Sequence, residues 1–198
     1  MSNSEMYRPR SSYFFAGAIY ILCAGLVGQS FFTETSEGIT TTIAWCSLVA
    51  FAFHLSFVRP KVTFFDEGIT ITNPLKEITV GWGEIEDISA RYSMYIQVGG
   101  EKIYAWAAQA PGRYHSRTVH ASEVRGLKIP DLYNMRPGES PRTHSGQALA
   151  LARIRMEAFH ATGGSANRGA CSYRTEFNRN GLTTLITLFV IASVLSIF

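Results

Sequence analysis

Charge is scarce in this chain. Only 17% of its 198 residues are Asp, Glu, Lys or Arg, against about 25% in an average globular protein. A chain so poor in charge is neither disordered nor a coat for nucleic acid, because both depend on dense charge. Paired cysteines are also missing. Cys23, Cys46 and Cys171 stand far apart, which excludes a disulfide framework and a zinc ribbon. No G-x-S-x-G, H-E-x-x-H or Walker pattern occurs, and Gly81-Trp82-Gly83 is too short for a dinucleotide loop. His115 and His120 have no carboxylate at ligand spacing, so they read as loop histidines rather than metal ligands. These absences predict a non-enzymatic protein with no cofactor and no metal. The net charge of +3 is too small to name a partner.

What is present is apolar sequence gathered into blocks. Residues 11–33, 38–58 and 181–198 carry no Asp, Glu, Lys or Arg. A bilayer-crossing helix needs roughly 20 apolar residues. A core helix of a soluble protein would show charge on one face within about four residues, and none of the blocks does. A cleaved signal peptide would suit the first block alone, but the second follows after a short loop. Leu22 stands before Cys23, where a lipoprotein would need a small residue. The first two blocks therefore predict a transmembrane helical hairpin, and the third predicts a further transmembrane helix at the C-terminus.

Flanking charge predicts the orientation. Arg8 and Arg10 precede the first helix, Glu34 and Glu37 lie in the loop, Arg59 and Lys61 follow the second helix, and Arg174 and Arg179 precede the third. The expected arrangement is a multi-pass plasma-membrane protein with residues 1–10 and 59–161 cytoplasmic, 162–180 a linker, and the C-terminus external. Tyr7, Tyr13, Phe14, Phe15, Phe31, Phe32 and Tyr173 fall near the expected interfaces, where aromatic belts form. Cys23 and Cys46 lie at similar depths and could face each other, and Gly17, Gly25 and Gly28 would admit close helix approach. His54, near the end of the second helix, reads as a packing or interfacial residue, with proton transfer as its alternative.

The middle of the chain turns to strands. Short β-rich runs at 62–65, 69–72, 77–80, 85–92, 94–98 and 102–106 are separated by turn residues. Gly68 is expected in a left-handed turn position, and Gly99-Gly100 in a type I′ or II′ hairpin. Residues 145–160 read as an amphipathic helix capped by Ser145. Its apolar arc holds Ala148, Leu149, Ala152, Met156 and Phe159, widened by Leu151 and Ala158, with Arg155 intruding. Charge divides as well: residues 59–107 carry a net −2 and residues 108–180 a net +6. Basic residues beside a membrane attract anionic lipid. Arg113, Tyr114, Arg117, Arg153, Arg155, Arg174 and Arg179 are the candidates for lipid or partner contact.

Short antiparallel strands followed by one amphipathic helix form the element order of a pleckstrin-homology (PH) barrel. Residues 59–74 (Arg59-Pro60-Lys61-Val62 through Thr72-Asn73-Pro74) resemble the opening hairpin of bacterial PH-like domains. Residues 78–88 resemble their central signature, in which Trp82 is followed by the spaced aliphatics Ile85 and Ile88. A membrane hairpin just before such a domain is similar to small actinobacterial membrane proteins. The resemblance covers roughly residues 11–127, and the third helix has no counterpart in it. It implies a PH-like antiparallel β-barrel or sandwich that serves interaction or assembly. The turn Asp66-Glu67-Gly68 is acidic where the lipid-binding versions are basic, which counts against phosphoinositide recognition there. The implied role is an accessory subunit of a larger membrane complex, such as a respiratory supercomplex joining cytochrome bcc to its oxidase. Its partners would then be other membrane subunits and membrane lipids. The alternative is a sensor or scaffold that binds anionic lipid through its basic half.

Overall fold

The computed structural model describes residues 4–109, 137–139, 143–163 and 172–197. Two compact units emerge. One comprises Met1–Arg8, Lys61–Thr72 and Ile78–Thr175; the other comprises Pro9–Pro60, Asn73–Glu77 and Glu176–Phe198.

The second unit is helical. Pro9 ends the preceding extended segment, and α1 (Arg10–Thr33) follows it. Glu34 and Thr35 turn the chain, and the Thr35 hydroxyl accepts from Gly38 N to start α2 (Ser36–Phe53). That helix continues as a π turn (His54–Val58), closed by Arg59 N donating to His54 O at 3.0 Å. Arg10–Thr33 spans 24 residues and Ser36–Val58 spans 23, or about 36 and 35 Å at 1.5 Å per residue. Both exceed a hydrocarbon core of about 30 Å. By length and composition, both are able to cross a membrane.

The hairpin seam is formed by residues other than the three glycines of α1, whose spacings miss the four-residue repeat of a glycine face. Ala16, Cys23 and Ser30 are the buried residues of α1, spaced by sevens so that each returns to one face. Nothing lies within 4 Å of a Cβ built at Gly17, Gly25 or Gly28. Those three glycines point away from the chain's own helices. Cys23 and Cys46 do meet across the hairpin, within hydrogen-bonding reach, and both are free thiols.

Asn178 caps α4 (Arg179–Leu195) by accepting from Gly181 N at 3.1 Å. The helix is apolar, but its 17 residues give a length of about 26 Å. The expectation of a third helix over 181–198 is therefore met by a shorter element. Among the described residues, the helical unit holds two helices of spanning length and one shorter apolar helix. The end of α4 lies beside the first half of α2: Thr41 Oγ1 donates to Leu195 O at 2.9 Å, and Trp45 Nε1 donates to Ser196 Oγ at 2.9 Å.

The other unit is built from strands and one helix. A strand that the residue pattern does not announce comes first: β1 (Glu5–Tyr7) pairs antiparallel with β2 (Lys61–Phe64), which pairs with β3 (Gly68–Thr72). Next come β4 (Lys76–Gly81), a 3₁₀ turn (Trp82–Glu84), β5 (Asp87–Ala90), β6 (Ser93–Val98) and β7 (Glu101–Gln109). After the 3₁₀ turn Pro137–Glu139 comes α3 (His144–Ala161), and β8 (Arg174–Phe177) lies within the stretch expected to be a linker. One sheet has the order β1-β2-β3-β4-β8, the other β5-β6-β7. Among the described residues the sheets form no closed barrel; they are two antiparallel sheets. Both supply one core, with Phe64, Ile69, Ile71, Val80, Met94 and Ile96 buried against Leu149 and Ala152 of α3.

Two turns show why particular residues stand where they do. Gly99 and Gly100 both have positive φ, +56° and +80°, the type I′ geometry that matches strand twist. Gly68 does not have positive φ. It is a glycine because a Cβ there would lie 2.3 Å from Val80 O. The Ser145 cap is corrected too. Thr143 is the N-cap, accepting from Gly146 N at 2.9 Å, while Ser145 is buried and donates to Gly138 O at 2.6 Å.

Candidate functional site

Trp82, Ile85 and Ile88 stand in the core, where the resemblance implies a structural signature. Trp82 is fully buried and Ile88 nearly so, while Ile85 packs against them partly buried. The chain cannot run from β4 to β5 as one straight strand with all three inward. The 3₁₀ turn between Gly81 and Ile85 resolves this, and small neighbours favour such a bend. Trp82 Nε1 donates to Phe65 O at 3.0 Å, and Trp82 N donates to Glu67 O at 3.1 Å. The indole thus ties the β2–β3 turn to the end of β4. β5 is shorter than the expected 85–92, and Ile88, Ser89 and Ala90 are all buried. Alternation fails because α3 and the Pro137–Glu139 turn both pack on it, and Ser89 donates to Glu139 Oε1 at 3.1 Å.

The candidate contact residues do not gather into one patch. Arg113, Tyr114 and Arg117 lie outside the described residues. Arg153 is exposed on α3, with its guanidinium 3.5 Å from Ile88 O. Arg155 is engaged inside the unit: Nη1 donates to Asp66 Oδ1 at 3.1 Å and Nη2 to Glu5 Oε2 at 3.4 Å. This accounts for its intrusion into the apolar arc of α3. The residue reaches an acidic turn and a strand that local sequence gives no sign of. Arg174 is exposed on β8 and has partners of its own. Arg179 is exposed at the start of α4.

Tyr7, expected near a membrane interface, lies on β1, in the two-sheet unit. Its hydroxyl is 3.0 Å from His144 Nδ1 and 3.5 Å from Gln147 Oε1. The hydroxyl therefore has an acceptor in either histidine tautomer. Partial burial pushes its pKa up to about 12, because desolvation disfavours the phenolate. Glu5 and Tyr7 together fasten β1 to α3 through Arg155 and His144.

Within the helical unit, Arg59 is a hub that charge counting alone would not single out. Its Nη1 donates to the carbonyls of Asn73 and Pro74, and its Nη2 lies 3.8 Å from Glu77 Oε2. Asn178 N donates to Leu75 O at 2.9 Å. The segment Asn73–Glu77 is thus bonded both to the end of α2 and to the start of α4. Nearby, Lys76 Nζ lies 4.9 Å from the centre of the Phe177 ring. Deeper in the unit, the Tyr20 hydroxyl and His54 Nδ1 are 3.2 Å apart.

No protein-family model, curated protein or solved structure matches this chain. Its site must be read from its own geometry. Among the described residues, no three His, Cys, Asp or Glu side chains are grouped so as to hold a metal ion. The features that remain are an apolar helical unit, a separately cored two-sheet unit, and cations distributed over both.

Proposed function

We propose that this chain is a non-enzymatic, membrane-anchored accessory or assembly subunit. The helices seat it in a larger membrane complex, and the two-sheet unit is a PH-like interaction module. The charge rule sets that module and the N-terminus on the cytoplasmic side, with Glu34 and Glu37 outside. One observation carries this reading. The helical unit exposes Phe14 at 77%, Ile21 at 76% and Phe32 at 91%, whereas the two-sheet unit closes its own core. Large exposed apolar faces are stable against lipid or against another membrane subunit. The two sheets with α3 over their core support the PH-like part, as does Trp82 at the joint.

The second reading, an anionic-lipid sensor, draws on the same basic residues. It is less favoured because Arg155 is held by Glu5 and Asp66. The host that the resemblance suggests is a respiratory assembly of cytochrome bcc and oxidase. The test is purification of a tagged chain from native membranes in mild detergent. We expect a defined set of integral subunits at fixed ratio, retained when salt is raised. A chain that emerges alone with lipid overturns the assembly reading and leaves the sensor.

A further inference from the structure

We propose that Leu75, Lys76, Phe177 and Arg179 form a headgroup-binding collar for anionic phospholipid, at the end of the helical unit where α1 begins and α2 finishes. This rests on α1 and α2 crossing a bilayer. The hydrogen bonds from Arg59 and Asn178 fix the segment Asn73–Glu77 at the helix ends. In a crossing helix, those ends lie at the headgroup layer. The side chains exposed there are an unusual pair for a polar turn: Leu75 is 40% exposed and Phe177 60%. With Lys76 over the Phe177 ring, an apolar surface and a cation are presented together. That combination suits the boundary between acyl chains and phosphates.

Charge complementarity selects the occupant. α1 and α4 both begin at this end with an arginine and have no acidic residue in the first turn. A cation at the positive end of a helix dipole is unfavourable unless an anion lies beside it. α2 begins at the opposite end and carries Glu37 in its first turn. Of the acidic residues near the collar, Glu77 is paired with Arg59, and Glu176 precedes Phe177. Lys76 and Arg179 remain exposed. A phosphodiester of anionic lipid supplies the missing negative charge.

The full chain is reconstituted in nanodiscs of phosphatidylcholine alone, or of equal parts phosphatidylcholine and phosphatidylglycerol, then released and weighed by native mass spectrometry. We expect phosphatidylglycerol to be retained over phosphatidylcholine. Headgroup affinity should fall about fivefold for each of Lys76→Ala and Arg179→Ala, and Lys102→Ala on the other unit should change nothing. Separately, Phe177→Trp should add fluorescence that brominated lipid quenches. Equal retention of both lipids, unchanged retention when Lys76→Ala and Arg179→Ala are combined, or displacement of the lipid by inorganic phosphate overturns the collar. So does added fluorescence from Phe177→Trp that brominated lipid leaves unquenched. Alkaline carbonate is the control: a chain that it strips from membranes overturns the membrane reading itself, and the collar with it.

Discussion

Trp82 shows how much one buried residue can hold in place. Its ring fills the core, and its Nε1 is the donor to Phe65 O. Trp82→Phe keeps most of the apolar volume but leaves that carbonyl without its partner. We expect a loss of about 1–3 kcal/mol, read as a lower thermal midpoint for the near-UV signal of the two-sheet unit. Glycine positions separate in the same assay. Gly99→Ala strains a left-handed residue by about 1–2 kcal/mol. Gly68→Ala drives a methyl into the Val80 backbone and should cost more, although Gly68 has an ordinary φ. Tyr7 sets a pH dependence. Its folded pKa, about 12, lies above the ordinary tyrosine value of 10.0. The stability this raised pKa confers is fully present below pH 10 and declines between 10 and 12, as the unfolded chain releases the proton first. Tyr7→Phe should flatten that part of a melting-temperature profile. A flat wild-type profile would contradict the assignment.

At the scale of elements, six strands and α3 were legible because each has a local signature. The alternation of β3, the double glycine before β7 and the apolar stripe of α3 all follow from residues that neighbour one another in sequence. β1 and β8 have no such signature. Each has only three or four residues, and each exists because a distant strand offers it unpaired backbone groups. Arg155 misleads for the same reason, since its partners lie on β1 and in the Asp66 turn. The end of α4 is decided by tertiary contact as well. Helix carbonyls at a C-terminus have no partner within the helix. Thr41 donates to the Leu195 carbonyl, and Trp45 donates to the Ser196 hydroxyl just beyond it. Thr41→Val with Trp45→Phe should cost about 0.6 kcal/mol per bond. The expected sign is faster hydrogen exchange in the last turn of α4, with α1 unchanged; equal protection in both proteins would refute the role.

For the whole molecule, the proposed membrane reading makes α1 and α2, the two helices of spanning length, the anchor, with α4 packed on α2. A chain ended after residue 178 should therefore still resist carbonate extraction, whereas its release would make α4 indispensable. The candidate surfaces were legible as residue types but not as places. Arg155 and Arg179 look alike in a charge count, yet one is neutralised by Glu5 and Asp66 while the other is exposed at a helix start. Lys76 and Phe177 carry no mark in the linear sequence, because they lie on segments about a hundred residues apart that meet in the helical unit. The linear order of residues determined which stretches are apolar, which alternate and which must turn, since those properties depend on near neighbours and on hydration. Tertiary structure alone decided the pairing of the described strands into two sheets, the seam through Ala16, Cys23 and Ser30, and the partners of Arg59 and Arg155. Pairing and burial are properties of distance in space, and only the folded chain sets that distance.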